Sequence, residues 1–465
     1  MIVERLIDRL GSDLVSPGPQ SDPRFHRDWT ARSPVVPLAV VQPRRVEDVS
    51  AALALCDEAG VPVVPQGGLT GLVGGAMPGA ETVVVNMSRM NATPDIDPIE
   101  RQARVEAGVT LEALQRAAAV HELEFPVDFG ARGSCQIGGM IATNAGGVHV
   151  LQHGMMRRQV VGIEAVLADG TIVSAMNALE KNNTGYDLRQ VLTGSEGTLA
   201  VITAAKLRLV PRPPARAAVL MQCENLHQAY RVFDGLRDSS LLTLHAFEGL
   251  WPGYYDFACG ITAKAPFAAS NRLTLLAEVV GDEREVLEDA LLEVLGRQCE
   301  DGTLSDALFS QSEAQVDAFW ALREANEALA TSFGAIVAFD VSLPRARMDG
   351  FVERARTRVS ELAPAADFLC FGHLGDGNLH IAIAAQKALP DPGAIKDGIL
   401  RLVLDCDGAI SAEHGIGLEK KAWLSRARSS GEVEMMQRLK TALDRRNILN
   451  RGKLFPDQRP AATRG

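Results

Sequence analysis

PQGGLTGLVGGAMPG, residues 65–79, carries glycines at 67, 68, 71, 74, 75 and 79. Glycine reaches positive φ and lets backbone N–H groups approach an anion closely, so the stretch reads as a phosphate-cradling loop. It is not a P-loop, because no Gly-Lys-Ser/Thr follows, and it lacks the G-x-G-x-x-G spacing of a dinucleotide-binding turn. Alone, it reads equally well as a tight surface loop. Two further stretches change that balance: PVDFGARGSCQIGGMIATNAGG (126–147), with glycines at 130, 133, 138, 139, 146 and 147, and NNTGYDLRQVLTGSEGTLAVIT (182–203). Three such segments in one region argue for a long cofactor threaded along the main chain.

The flanks of these loops alternate strand and helix. VVPLAVV (35–41) reads as a strand, VEDVSAALALCDEAG (46–60) as a helix stopped by Gly60, VPVVP (61–65) as a strand running into the first loop, and TVVVNM (82–87) as another. RVEAGVTLEALQRAAAVHEL couples a short strand to a helix with Thr110 as N-cap, and 160–176 reads as a hairpin turning at Asp169-Gly170. Prolines at 211, 213 and 214 in PRPPA stop both helix and central strand, which marks the best domain boundary. The expected organisation is α+β: a lead-in over 1–34, a cofactor domain over 35–214, a second α+β domain over 215–440, and a C-terminal segment over 441–465.

Composition narrows the class. With 465 residues, 46% hydrophobic and 23% charged, the chain is long enough for two or three packed domains and is neither a disordered nor a multi-span membrane protein. Its 47 basic and 58 acidic residues give a net charge of −11, with no basic run that would track nucleic acid. No window reaches the ~18 apolar residues of a spanning helix, so a cytoplasmic location is expected. Seven scattered cysteines without a C-x-x-C pair fit reduced, mostly buried thiols.

The chemistry concentrates near the C-terminus. HLGDGNLH sets His373 and His380 around Gly375-Asp376-Gly377-Asn378, a turn that can bring both imidazoles together, and SAEHGIG follows with Glu413 and His414. Two histidines and one carboxylate suit a divalent transition metal such as zinc with positions left open for substrate. If 413–414 is extended, His414 points away from Glu413 and is free to act as a base near neutral pH.

These pieces, residues 65–76, 126–147, 194–202, 373–380, 411–417 and 449–453, resemble in order and spacing the FAD-linked oxidoreductases of the vanillyl-alcohol oxidase / p-cresol methylhydroxylase superfamily. Within it they resemble the branch of D-lactate and D-2-hydroxyglutarate dehydrogenases, and the likeness covers about 35–456. It implies a p-cresol methylhydroxylase-type FAD domain, a substrate and metal domain, and a tail returning to the flavin. Carried over by position, Gly67, Gly68, Leu69, Thr70, Gly71 and Gly74 are implied pyrophosphate contacts. Pro126, Asp128, Gly133, Gly138, Gly139, Thr143, Asn144, Gly147, Ile202 and Asn450 are implied FAD contacts. His373, His380 and Glu413 match the metal ligands, His414 the base, and Arg323 the arginine that holds a substrate carboxylate. The implied reaction is metal-assisted hydride transfer from C2 of a D-2-hydroxy acid to flavin N5, giving the 2-oxo acid. Electron-transfer flavoprotein, quinone or a cytochrome is the expected class of acceptor; a homodimer is compatible, and a nicotinamide site is not evident.

Departures from the family bear on the substrate. Relatives acting on dicarboxylates tend to carry Lys at the position of Ala338 and Asn at that of Ala382, and some carry Thr where Glu327 stands, whose charge would repel a distal carboxylate if it faced the pocket. This favours D-lactate or another D-2-hydroxy acid with a neutral side chain, with D-2-hydroxyglutarate or D-malate as the alternative. Relatives often carry Arg and Tyr at the positions of His149 and His153, which either alter the flavin environment or simply pack. A metal-dependent hydrolase, in which the His373, His380 and Glu413 metal activates water, is the reading from another class, and the glycine loops argue against it.

Overall fold

A computed structural model describes residues 2–30, 33–179 and 181–456. The chain divides into two compact units: Met1–Gly147, Gly154–Arg212 and Glu413–Gly465 form the first, Val148–His153 and Pro213–Ala412 the second.

In the first unit, β1 (Val15–Pro17), β2 (Ala39–Val41), β3 (Val63–Gln66) and β4 (Val83–Asn86) make a sheet of order β1-β2-β4-β3, with β2 and β3 both parallel to β4. Valine runs suit these strands because both faces are covered. Val41, Val63, Val83 and Val85 pack with Val49, Ala52, Leu53 and Cys56 of the helix Val46–Ala59, while Val40, Val64 and Val84 pack with Phe25 and Leu69. The helix stops where Gly60 turns left-handed, φ 64, and its N–H closes on Asp57 and Cys56. The glycine loop therefore opens at the C-terminal end of β3, where open α/β sheets present ligand sites.

A second sheet, order β5-β6-β10-β8-β9, is antiparallel throughout: β5 (Asp95–Asp97), β6 (Gln102–Glu106), β8 (Val160–Val166), β9 (Ile172–Ala175) and β10 (Val201–Arg208). The expected hairpin is β8–β9, and Thr110 caps the helix Leu111–Ala119 by accepting from the Ala113 N–H. A two-residue pair, β7 (Leu123–Glu124) with β11 (Val210–Pro211), lies just before the chain leaves this unit after Arg212.

The chain re-enters this unit at Glu413, well ahead of the expected break at 441. The helix Ser430–Leu443, started by a Ser429/Glu432 capping box, is thus part of the first unit and not the end of the second. Beyond it Leu449 lies parallel to Val63, and the Asn450 N–H donates to the Val63 carbonyl at 2.9 Å, tying the tail to β3. Residues 457–465 of the expected tail lie outside the described residues.

The second unit is a seven-stranded antiparallel sheet of order β15-β12-β14-β13-β17-β18-β16: β12 (Ala215–Cys223), β13 (Thr243–Leu250), β14 (Leu273–Gly281), β15 (Asp306–Phe309), β16 (Ala335–Ser342), β17 (Asp367–His373) and β18 (Asn378–Ala385). One face packs Leu220, Leu250, Leu276, Leu369 and Phe371 against Tyr254 and Ala258 of the helix Pro252–Thr262 and Val316 and Trp320 of the helix Glu313–Arg323. That buried face also carries three carboxylates, Glu248, Glu278 and Asp340, each at most 2% exposed.

Candidate functional site

The glycines of the first unit fall into two physical kinds. A Cβ on Gly68 would collide with the Ser134 carbonyl, and one on Gly138 would come within 2.7 Å of the Ala107 Cβ; these glycines let the loop and the helix Ile137–Thr143 approach closely. At Gly71, Gly75 and Gly139 a Cβ would meet nothing within 4 Å among the described residues. Backbone that faces open space on both the 65–79 loop and the helix start is what a main-chain cradle for a long anionic cofactor requires. FAD fits this donor set. Leu69, at φ 62 within the loop, and Asn144, at φ 52 as the C-cap of that helix, are left-handed. Thr143 donates to the Gly139 carbonyl, Asp128 accepts from Gln115 Nε2 and pairs with Arg132, and Pro126, Gly133 and Thr70 sit in the same loops. A Cβ on Gly74 would come within 3.3 Å of the Leu418 side chain, whereas Gly67 keeps ordinary distance from Gln136. Ile202, 6% exposed, lies on β10 at a bulge.

The tail closes under this loop. Asn450 Nδ2 donates to the Glu196 carbonyl at 2.8 Å and more weakly to the Gly75 carbonyl at 3.3 Å, while Lys453 Nζ donates to the Gly75 carbonyl at 2.7 Å and to Asn450 Oδ1 at 3.0 Å. The Glu196 carboxylate accepts the Ile416 and Gly417 N–H groups at 2.9 and 2.8 Å. Burial pushes the Lys453 ammonium down to about 7, against the pull of Asp28 and Glu196. Its folded pKa lies below the usual 10.5, so between about 7 and 10.5 the unfolded chain holds more protons and stability rises with pH. Urea unfolding of wild type and Lys453→Met across pH 7–10 checks this. The wild type should gain on the variant as pH rises, and parallel curves would reject the buried-amine account.

The chemistry-bearing hairpin lies in the second unit. β17 and β18 pair Phe371 with His380, and the turn between them is closed by the Gly377 N–H on the His373 carbonyl, with Gly377 at φ 85. The turn brings the two imidazoles together as expected: ring centroids 5.3 Å apart, planes at 81°. Sheet register sets Glu248 opposite His373. Its Oε1 lies 2.6 Å from His373 Nδ1 and its Oε2 accepts Arg323 Nε at 2.6 Å. A carboxylate on Nδ1 fixes the tautomer that leaves Nε2 as a lone-pair donor. Burial alone would raise the Glu248 carboxyl, but His373 and Arg323 bring it down to about 2.

Arg323, 5% exposed, stacks 4.8 Å from the Phe371 ring, with Nη2 3.4 Å from His373 Nε2. His380 Nδ1 lies 3.8 Å from Asp340, which in turn accepts Asn378 Nδ2 and the Ala412 N–H. Two imidazoles with carboxylates behind them suit a borderline divalent ion such as zinc. Glu248 escapes sequence reading; the signal was a lone acidic residue inside the apolar strand LHAFEGLW.

Glu413 and His414 belong to the first unit, where Glu413 Oε1 accepts the Gly147 N–H at 2.8 Å. Residues 412–414 form a bend, so the strand alternation expected to separate Glu413 from His414 does not apply. Glu327 is exposed on the short turn Glu324–Ala328. Ala338 and Ala382 are direct cross-strand partners, two residues along from the pair Asp340 and His380 and therefore on the same sheet face.

Comparison with known proteins bears on both units. Residues 37–176 match the FAD binding domain family, and 212–454 match the family described as FAD linked oxidases, C-terminal domain. A D-2-hydroxyglutarate dehydrogenase of Xanthomonas citri pv. viticola is 39% identical over 441 residues, covering 93% of this chain and 92% of that protein. The mitochondrial D-2-hydroxyglutarate dehydrogenase of Rattus norvegicus is 34% identical, covering 92% and 80%. A D-2-hydroxyglutarate–pyruvate transhydrogenase of Saccharomyces cerevisiae is 30% identical, covering 94% and 90%. Among solved structures, p-cresol methylhydroxylase with substrate bound superposes at a TM-score of 0.76 and 15% identity over 98% of this chain and 96% of that one, which speaks for the fold.

Proposed function

We propose that this chain, which belongs to the FAD-linked oxidases, oxidises a D-2-hydroxy acid to the 2-oxo acid. The observation that carries the reading is the His373/His380 pair, with His373 held by Glu248 beside the buried Arg323, in a chain whose other unit presents a glycine cradle. Bound FAD supplies a two-electron oxidant and a divalent metal, zinc by ligand type, supplies a Lewis acid. By their motifs, His373, His380 and Glu413 would be the residues that hold the metal. Arg323 attracts the substrate carboxylate, and His414 accepts the hydroxyl proton. The glycine segments and Asn450 hold the cofactor. A metal-dependent hydrolase finds no support in the three relatives named above, each of which is named as a D-2-hydroxyglutarate enzyme.

For the side chain of the acid, the Ala338/Ala382 pair favours a neutral, compact group, because neither position offers a cation or amide to a distal carboxylate. The names of the relatives favour D-2-hydroxyglutarate as the second reading. Turnover with D-lactate, D-malate, D-2-hydroxyglutarate and the L-enantiomers, with the 2-oxo product identified, tests both. The expected result is activity on D-acids alone, highest on D-lactate, and a rise of about tenfold or more in the preference for D-2-hydroxyglutarate in Ala338→Lys/Ala382→Asn. A wild type that strongly prefers D-2-hydroxyglutarate would overturn the neutral-side-chain reading and leave the reaction class standing.

A further inference from the structure

The second unit contains another histidine pair whose surroundings repeat those of His373 and His380. His245 is the extra residue of a bulge in β13, where the register with β14 slips between Leu244 and Ala246. The bulge delivers its ring to a buried carboxylate: Nδ1 lies 3.0 Å from Glu278 Oε1. His153, one helical turn after His149 in HVLQH, meets His245 edge to face, centroids 5.5 Å apart and planes at 85°. The other pair stands at 5.3 Å and 81° with its Nδ1 on Glu248 at 2.6 Å. The correspondence reaches one layer further. Trp320 Nε1 donates to Glu278 Oε2 at 2.7 Å and Arg323 Nε to Glu248 Oε2 at 2.6 Å, from positions three apart on one helix face.

We propose that His245 and His153 are ligands of a second transition-metal site, of the zinc class, with Glu278 as the outer carboxylate that fixes the His245 ring. A histidine serving only as packing satisfies both ring nitrogens; His245, 3% exposed, has Nδ1 on Glu278 and a buried Nε2 with no hydrogen-bond partner among the described residues. Its bonded Nδ1 leaves that Nε2 as the lone-pair donor, the arrangement in which an outer carboxylate orients a metal-bound imidazole. His149 has a different part. Its ring stacks flat on His245, 3.7 Å between centroids and 7° between planes, so an ion in the plane of His245 is out of line with His149; it buttresses the ligand instead.

The site is independent of the flavin reading, and zinc stoichiometry separates the two. The full-length, FAD-loaded protein is stripped with chelator, dialysed against Zn²⁺ and measured for zinc and FAD per chain, as wild type, His153→Gln, Glu278→Gln and His380→Gln. Two zinc ions in the wild type, one in His153→Gln and one in His380→Gln, all with full FAD, is the expected result. Glu278→Gln should bind the second ion at least tenfold more weakly. A His153→Gln protein that keeps every zinc ion of the wild type overturns the second site whatever His380→Gln does. A single ion lost with His153 and retained with His380 would keep it and remove the other.

Discussion

His414→Ala should retain one FAD per chain and reduce that flavin about 10²–10⁴-fold more slowly with a D-2-hydroxy acid, the range set by losing a positioned base. The argument is protonic. Oxidation at C2 requires the hydroxyl proton to leave as the carbon gives up its electrons, and a metal lowers the cost of that departure without accepting the proton. A variant lacking the acceptor must hand the proton to water. Its residual rate should therefore climb with pH and be partly restored by added imidazole, two readouts that a damaged fold would not give. Stopped-flow reduction at saturating substrate is the measurement. Wild-type rates in His414→Ala would remove this residue from the mechanism.

Glu248→Gln should have the second large effect, and it reaches the site through two partners at once. The carboxylate takes His373 on one oxygen and Arg323 on the other, and it is 1% exposed. An amide keeps one acceptor oxygen and turns an N–H₂ towards the second donor. One of the two partners then loses its acceptor at a position that is 1% exposed. Metal affinity should fall about 10–100-fold, as for other outer-shell carboxylates. Breaking the buried ion pair with Arg323 should lower unfolding free energy by about 3–5 kcal/mol. FAD occupancy should stay at one per chain, because the glycine cradle belongs to the other unit. Zinc titration followed by urea unfolding checks both numbers. A protein that loses stability but binds metal as tightly as wild type would make Glu248 a packing group and not a ligand-orienting one.

Much of this arrangement was legible in local sequence. Gly60 announces its helix stop, Thr110 its cap and Asp169-Gly170 its hairpin because each rests on interactions within a few residues. The His373/His380 pair was legible for the same reason: a short turn between two strands leaves few ways to place the rings. What escaped depends on partners far along the chain. Glu248 meets His373 across 125 residues through the β13–β17 register, and Glu278 meets His245 only because a bulge turns that ring. Both carboxylates interrupt apolar strands, in LHAFEGL and LTLLAEVV, and a buried charge in such a run demands a partner even when its identity is hidden. The return of the chain at Glu413 was missed because no proline or glycine cluster marks it; the crossing falls inside a motif read for its chemistry. The bend at 412–414 shows the cost of assuming an extended strand around two adjacent functional residues.

The most direct measurement is anaerobic bleaching of the visible flavin band in the FAD-loaded protein on adding D-lactate, with D-2-hydroxyglutarate and L-lactate alongside, before and after chelator treatment and again after returning Zn²⁺. Bleaching by a D-acid, absent with the L-acid, abolished by the chelator and restored by zinc, is the outcome expected if a metal on His373 and His380 activates a D-2-hydroxy acid for oxidation by FAD. A flavin band that no 2-hydroxy acid bleaches, or that bleaches equally well without metal, would contradict it.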